Sequence, residues 1–214
     1  NIKEFKEELE KIYITLNIEE KTSKLKDLEN KTLEENFWTN NTNSNSILKE
    51  IKEIKSKLKK YNDINRQIND LEYINASIAL MEASGFKVKF GNYVFENTLN
   101  YGTDPRRRAK DINMMFADKE VKAILCVKGG EDSNSCLDYI DYEIIKNNPK
   151  IICGFSDNTS ILDVINEKTG LVTYHGPTFK SFTSWDTGYA YEQFIKKLTE
   201  NNKEYSTEKY TEEF

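Results

Sequence analysis

Glycine and proline are confined to one part of this chain. All nine glycines and all three prolines lie beyond residue 84 of the 214 residues. These residues mark turns and helix ends, so a long stretch without either of them favours uninterrupted helix. The sequence therefore predicts two parts with different folds, a helical arm over residues 1–73 and an α/β domain over residues 74–214.

The arm carries apolar residues at helical spacing. Steps of four and three residues, the spacing of a heptad seam, separate Ile47, Ile51, Ile54, Leu58 and Tyr61. Lys and Glu occupy most of the other positions, and this pattern predicts a helical hairpin or a coiled coil with solvated faces. A polar run over residues 39–46 is predicted to separate the helices.

The second part alternates predicted helices with predicted strands. The pair Asp104-Pro105 is typical of a helix start, with Asp as the N-cap. Strands are predicted over residues 86–90, 121–127, 150–153 and 171–174. Strands separated by helices favour a doubly wound parallel sheet, in which a ligand binds at the carboxyl ends of the strands. Three loops fall there, at residues 129–135, 154–159 and 175–178.

The first of these loops contains a candidate nucleophile. Gly129 and Gly130 follow a predicted strand, and Ser133 opens a helix predicted over residues 133–140. A serine at such a bend projects its hydroxyl beside free helix N–H groups, which suits a reaction that passes through an oxyanion. The alternative is that Asp132 or Ser133 only caps the helix. The Gly-x-Ser-x-Gly pattern is not met, so the local sequence leaves both interpretations open.

Composition argues against several partners. The formal net charge is −5, which gives no bulk attraction to nucleic acid. No apolar run approaches the roughly 18 residues of a membrane span. The three cysteines lack metal-ligand spacing, and reduced thiols predict a cytoplasmic protein without metal or cofactor. The three arginines at residues 106–108 are interpreted as solvated surface, with a functional contact to an anion as the alternative.

Ordered motifs give the second part a family resemblance. They are Gly85-Phe-Lys-Val-Lys-Phe-Gly91, Gly102-Thr-Asp-Pro-Arg-Arg-Arg-Ala-Lys-Asp-Ile112, Gly129-Gly-Glu-Asp-Ser-Asn-Ser135, Gly154-Phe-Ser-Asp157 and His175-Gly-Pro177. With these motifs, residues 76–200 resemble the N-terminal domain of the LD-carboxypeptidase family, in its microcin-immunity branch. Such proteins are serine peptidases with a Ser–His–Glu triad, and they cleave amides in murein peptides or peptide–nucleotide antibiotics.

The resemblance implies roles for individual residues. Ser133 would be the nucleophile, with Ser135 as the alternative, and a peptide would be the substrate. Backbone N–H groups of Asn134 and of Gly102 or Gly130 would hold the oxyanion. Two further residues, Asp157 and His175, would line the pocket.

The only histidine, His175, is not expected to be the general base. In the resembling family the triad His and Glu belong to a C-terminal domain that has no counterpart here. The family's first strand also has no counterpart here, so the resemblance implies an incomplete sheet with an exposed edge. An exposed edge favours assembly, for example as a homodimer.

The arm has its own resemblance. Residues 23–30, the run Leu33-Glu-Glu-Asn-Phe-Trp38 and the helix predicted from residue 46 to about residue 73 resemble the N-terminal domain of bacterial peptide chain release factor 2. That family's stop-codon-reading tripeptide and Gly-Gly-Gln motif are absent, so at most a docking surface for the ribosome is implied. A non-catalytic chimera is therefore the alternative to a peptidase. A third hypothesis is that the junction does not exist in the gene, which genomic DNA across residues 73–78 would test.

Overall fold

A computed structural model describes residues 2–39, 41–96, 103–184 and 188–199. Two compact units are present, Asn1–Glu72 and Tyr73–Phe214. The first contains helices α1 (Ile2–Thr15) and α2 (Ile18–Thr32), a short 3-10 helix (Phe37–Thr39) and most of helix α3 (Asn41–Ala83). No helix within the described part of the chain is long and apolar enough to cross a membrane.

The first unit is held together by apolar residues from α2 and α3. Its buried cluster consists of Ile18, Leu28, Ile51, Ile54 and Leu58. Two lysine–glutamate pairs join the same two helices at the surface, Lys24 with Glu50 and Lys55 with Glu29. Exposed pairs of this kind contribute little, so burial of the apolar seam is the main stabilising term. The helical prediction for residues 1–73 is confirmed, and the coiled coil stays a prediction.

The polar run at residues 39–46 is not a long break. Helix α3 already begins at Asn41, so the predicted loop is wrong over most of its length. The hydroxyl of Ser44, a buried residue, donates to the carbonyl of Phe37. Polar side chains near a helix start can bond nearby backbone groups in this way, which is why polarity alone did not mark the boundary.

The second unit is built on a three-stranded parallel sheet. Strands β1 (Ala123–Leu125), β2 (Ile151–Gly154) and β3 (Tyr174–His175) lie in the order β1-β2-β3. The helices of this unit are α4 (Pro105–Ala117), α5 (Tyr142–Asn147), α6 (Thr159–Thr169), α7 (Ser181–Ser184) and α8 (Tyr189–Thr199), with 3-10 helices at Ser133–Tyr139 and Ser156–Asn158. The α/β prediction with a parallel sheet is confirmed, and doubly wound connectivity stays a prediction.

Apolar clusters cover both faces of this sheet. Side chains of successive strand residues point to opposite faces. Ile152 lies in a cluster with Phe116 and Ile165, from helices α4 and α6. Its neighbour Cys153 lies in a second cluster with Phe182, from helix α7. The central strand β2 is buried from Ile152 to Gly154, whereas both residues of β3 are exposed. Parallel sheets of this kind bind ligands at the carboxyl ends of their strands.

The strand predicted at residues 86–90 is not formed. This segment pairs with none of the three described strands, although Phe90 packs edge-on against Phe179 at 5.9 Å between ring centroids. An extended segment becomes a strand only where a neighbouring backbone matches its hydrogen bonds. The prediction therefore failed on pairing, although Val88 and Phe90 are partly buried against the second cluster.

Helix boundaries follow their local signals more closely. Asp104 caps α4, and its Oδ1 accepts the Arg106 N–H at 2.8 Å, as predicted. Helix α6 ends at Gly170, whose φ of 73° lies in the left-handed region that favours glycine. The helix predicted at residues 133–140 is a 3-10 helix, and the strand predicted at residues 121–127 shortens to β1. The strand predicted at residues 171–174 shares only Tyr174 with β3.

Candidate active site

The loops that follow β1, β2 and β3 lie together at the carboxyl end of the sheet. The Gly176 N–H donates to the carbonyl of Gly154 at 3.0 Å, which joins the loops after β3 and β2. The Phe179 N–H donates to the carbonyl of Cys126 at 2.9 Å, which joins the chain beyond β3 to the end of β1. This is the edge at which parallel sheets bind ligands.

Ser133 opens the 3-10 helix in the first of these loops. Its backbone N–H donates to Oδ2 of Asp157 at 2.7 Å, and the residue is only 6% exposed. Its hydroxyl makes no hydrogen bond to any described residue. The Ser133 backbone is therefore fixed, and no described residue occupies the hydroxyl, which a serine nucleophile has to donate to a general base.

The second serine of the motif has a different environment. The Ser135 hydroxyl donates to the carbonyl of Asp132 at 2.7 Å and accepts a hydrogen bond from Nη2 of Arg108 at 2.8 Å. A hydroxyl that already donates its proton to a carbonyl is not available to donate it to a general base, so Ser135 is poorly placed to act as a nucleophile. This contrast favours Ser133 over Ser135.

One N–H group at the start of the 3-10 helix is left over. The Ser133 N–H bonds Asp157, and the Ser135 N–H bonds the carbonyl of Asp132 at 3.1 Å. The N–H of Asn134, between them, has no acceptor among the described residues. An unpaired N–H next to the serine can stabilise developing negative charge on a carbonyl oxygen.

The two glycines before Ser133 are needed because the loops after β1 and β2 touch. A Cβ atom added to Gly129 would lie 3.1 Å from both Cβ and Oγ of Ser156, and one added to Gly130 would lie 3.1 Å from Oδ2 of Asp157. The residues that these two glycines approach belong to the loop after β2. Ser156 itself has a φ of 62°, a strained conformation for a residue other than glycine.

An asparagine side chain links the same two loops. The Asn158 amide donates from Nδ2 to the carbonyl of Lys128 at 3.0 Å and to the carbonyl of Phe155 at 3.1 Å. Asn158 is buried, so these bonds are protected from water. The amide fixes the distance between the Ser133 loop and the loop that carries Asp157.

Arg108 is a site residue that the sequence interpretation missed. It was assigned to the solvated surface, but its side chain is only 22% exposed and forms an ion pair with Asp132. Helical spacing could have indicated that Arg108 is partly buried. It stands four residues before Ile112, on the same face of the helix, and Ile112 packs against the buried core. Its partner lies 24 residues further along the chain, so local sequence could not identify the contact.

Two predicted residues stand apart from this network. His175 is exposed, and its ring meets Phe155 edge-on at 6.5 Å between centroids. No hydrogen bond joins His175 to Ser133 or Asp157 in the described structure. Gly102, the other predicted oxyanion donor, lies outside the described residues.

The cysteines beneath the loops are protonated thiols. Burial, with the nearby Cys153 thiol, raises the pKa of Cys126 to about 12, and burial raises the pKa of Cys153 to about 11. A thiol in this state is a poor nucleophile and a poor metal ligand. Within the described ranges, no group of three or more His, Cys, Asp or Glu residues could hold a metal ion.

Residues 62–176 match the model of the LD-carboxypeptidase N-terminal domain. Among curated proteins, the chain is 35% identical over 125 residues to the microcin C7 self-immunity protein MccF of Escherichia coli, which covers 57% of this chain and 36% of MccF. It is also 35% identical over 135 residues to a probable murein peptide carboxypeptidase of Bacillus subtilis, covering 60% of this chain and 42% of that protein. The chain spans about a third of the length of the curated relatives that it matches.

Solved structures give the same picture. An MccF-like protein of Bacillus anthracis superposes with a TM-score of 0.58 at 38% identity, over 60% of this chain and 39% of that one. MccF in complex with aspartyl sulfamoyl adenosine superposes with a TM-score of 0.58 at 32% identity, over 61% of this chain and 40% of MccF.

Proposed function

The chain belongs to the LD-carboxypeptidase family, and from this premise we propose that it provides the nucleophilic half of a serine peptidase site, with Ser133 as the nucleophile. The observation that carries the proposal is the contrast between the two serines of the loop. The hydroxyl of Ser133 is uncommitted beside a fixed backbone, whereas the hydroxyl of Ser135 is bonded on both sides.

The chemistry would be acyl transfer. The Ser133 Oγ attacks the carbonyl carbon of the scissile amide while a base accepts the hydroxyl proton. The oxyanion that forms accepts a hydrogen bond from the Asn134 N–H, and from a second N–H of Gly102 or Gly130. The amine then leaves with a proton returned by the base, and water hydrolyses the ester on Ser133.

The base is proposed to come from the family's C-terminal domain, together with the carboxylate that orients it. His175 does not fit this role, since its exposed ring rests on Phe155 and has no bond to Ser133 or Asp157 in the described structure. It is proposed to line the pocket, as is Asp157, which also holds the Ser133 backbone.

The substrate class is proposed from the relatives. MccF is solved with aspartyl sulfamoyl adenosine, an aminoacyl-nucleoside analogue, and a second relative is named for murein peptides. Substrates of this chain would thus be short peptides or peptide–nucleotide conjugates. A cytoplasmic location is proposed with them, because the three cysteines are free thiols.

Complementation would test the peptidase. The full chain is mixed with the separately produced C-terminal domain of the Bacillus anthracis relative, and release of the C-terminal residue from a murein tetrapeptide and of the amino acid from aspartyl sulfamoyl adenosine is followed by mass spectrometry. Cleavage is expected with the unmodified chain and with Ser135→Ala, and it is expected to disappear with Ser133→Ala. Equal cleavage by the chain and Ser133→Ala would reject Ser133 as the nucleophile.

A second proposal concerns the first unit. We propose that it is a docking arm of the type found in release factor 2, in a chain that need not be catalytic. The favouring observation is that Leu33 and Trp38, in the turn region between α2 and α3, are 82% and 64% exposed. Large apolar side chains exposed at one place can contact a partner, either the ribosome or a second copy of the chain.

Sedimentation with ribosomes would test the docking arm. The full chain is expected to pellet with ribosomes, and Leu33→Ser combined with Trp38→Ser is expected to leave it in the supernatant. Light scattering of the same samples without ribosomes reports self-association. Identical sedimentation of the two proteins would reject this turn as the docking surface.

A further inference from the structure

Arg108 reaches from helix α4 to both residues that flank the Ser133–Asn134 pair. Its Nη1 and Nη2 donate to Oδ1 and Oδ2 of Asp132, each at 3.0 Å. The same Nη2 lies 3.3 Å from the Asp132 carbonyl and 2.8 Å from the Ser135 hydroxyl. One guanidinium therefore holds the chain immediately before and immediately after these two residues.

The Asp157 carboxylate holds the same turn from the other side. Its Oδ2 accepts the Ser133 N–H at 2.7 Å, in the loop after β2. Arg108 and Asp157 are on different elements, so the turn is fixed from two directions. The Ser133 hydroxyl and the Asn134 N–H are left without partners among the described residues, and both are groups that the chemistry would use.

The neighbouring arginines do not share this role. Arg107 points elsewhere and pairs with Glu96 at 2.5 Å, while its guanidinium lies 5.3 Å from the Tyr93 ring centroid. Arg108 is the more buried of the two, at 22% against 53% side-chain exposure. Its Nε atom is buried without a hydrogen-bond partner in the described structure. A buried N–H without a partner is unfavourable, so other contacts must hold the guanidinium in this position. Those contacts are the bonds to Asp132 and Ser135.

We propose that Arg108 is a positioning residue for the nucleophile: its fork to Asp132, together with its bond to Ser135, holds the turn in which the Ser133 hydroxyl and the Asn134 N–H face the substrate carbonyl. This inference rests on the proposed function, because it assigns Arg108 to the same site. Planar bidentate geometry is essential, since a lysine ammonium cannot hold two carboxylate oxygens and a hydroxyl in the same arrangement.

Amide hydrogen exchange on the full chain tests the positioning without any need for catalysis. Arg108→Met keeps the aliphatic packing and removes the fork, and Arg108→Lys keeps the charge. Exchange at residues 133–136 is expected to rise about tenfold or more in Arg108→Met and by less in Arg108→Lys, while helix α6 keeps its protection. Arg107→Ala is the matched control, as it removes an arginine–carboxylate pair from the same helix turn and is expected to change nothing at residues 133–136.

A kinetic measurement separates positioning from a purely structural contribution. In the mixture with the relative's C-terminal domain, Arg108→Met is expected to lower kcat about tenfold to a hundredfold and to leave KM nearly unchanged, because misplacing a nucleophile slows the chemical step. The kcat of Arg108→Lys is expected to lie between that of the unmodified chain and that of Arg108→Met.

The possible failures are distinguishable. Unchanged exchange at residues 133–136 in Arg108→Met, or an equal increase in Arg107→Ala, would overturn the role of Arg108. So would a loss of protection spread evenly over the whole second unit. If the complemented wild-type chain has no activity, the proposed function fails, and the exchange measurement still decides whether Arg108 orders the turn.

Discussion

Replacing Asp157 removes the carboxylate that accepts the Ser133 N–H. The carboxylate Oδ2 lies 2.7 Å from the Ser133 nitrogen, and Ser133 is only 6% exposed. A hydrogen bond to a charged acceptor contributes roughly 1.5–3 kcal/mol, and loss of the acceptor leaves a buried donor unpaired. We expect Asp157→Ala to lower the free energy of opening of this turn by about that amount.

The conservative variant gives an intermediate value. Asp157→Asn keeps an oxygen at the same position but removes the charge, and bonds to charged acceptors are roughly twice as strong as neutral ones. Asp157→Asn should therefore lose about half as much as Asp157→Ala. At about 1.4 kcal/mol for each factor of ten, the alanine variant corresponds to a tenfold to hundredfold faster exchange of the Ser133 amide.

Exchange of the Ser133 amide, read by mass spectrometry with residue-level fragmentation, measures this directly. Asp163→Ala is the control, because it makes the same substitution at an exposed position on α6. The control should exchange like the unmodified chain. Equal exchange of the Ser133 amide in Asp157→Ala and Asp163→Ala would show that the Asp157 carboxylate does not hold the Ser133 backbone.

Two other predictions concern the packing beneath the site. A Cβ at Gly176 would lie 2.9 Å from the Cys153 Sγ. Gly176→Ala should therefore lower the unfolding free energy of the second unit by about 1–3 kcal/mol, measured by thermal unfolding, and by clearly less in a Cys153→Ala background. Equal losses in both backgrounds would contradict this contact. Because burial raises the pKa of the Cys153 thiol from 9.0 to about 11, its stabilising contribution should persist below pH 9 and be lost as the pH rises through 11. Cys153 is buried, so dithionitrobenzoate at pH 8 should modify it only after unfolding, and rapid modification of Cys153 in the native chain would contradict the buried thiol.

Local signals in the sequence were sufficient for several elements. The Asp104-Pro105 pair marks the start of α4 because an N-cap acts within one turn, and Gly170 marks the end of α6 for the same reason. Alternation of helix and strand was enough to predict a parallel sheet and the edge at which its loops meet.

Contacts between distant residues were beyond local reasoning. Residues 86–90 alternate apolar residues with lysines as a strand would, but a strand also needs a paired neighbour, and none of the described strands supplies one. Arg108 sits among three arginines at a helix start, and only the fold brings Asp132 to it. The choice between Ser133 and Ser135 likewise depended on which hydroxyl the fold had already occupied.

The nucleophile is tested most directly by mapping the adduct of a serine-reactive fluorophosphonate on the full chain. The chain, Ser133→Ala and Ser135→Ala are each labelled with and without the relative's C-terminal domain, and the modified residue is located by peptide mass spectrometry. We predict weak or no labelling of the chain alone, and with the added domain a single adduct on Ser133 that Ser133→Ala abolishes and Ser135→Ala retains. An adduct on Ser135, or equal labelling of the chain and Ser133→Ala, would contradict Ser133 as the nucleophile.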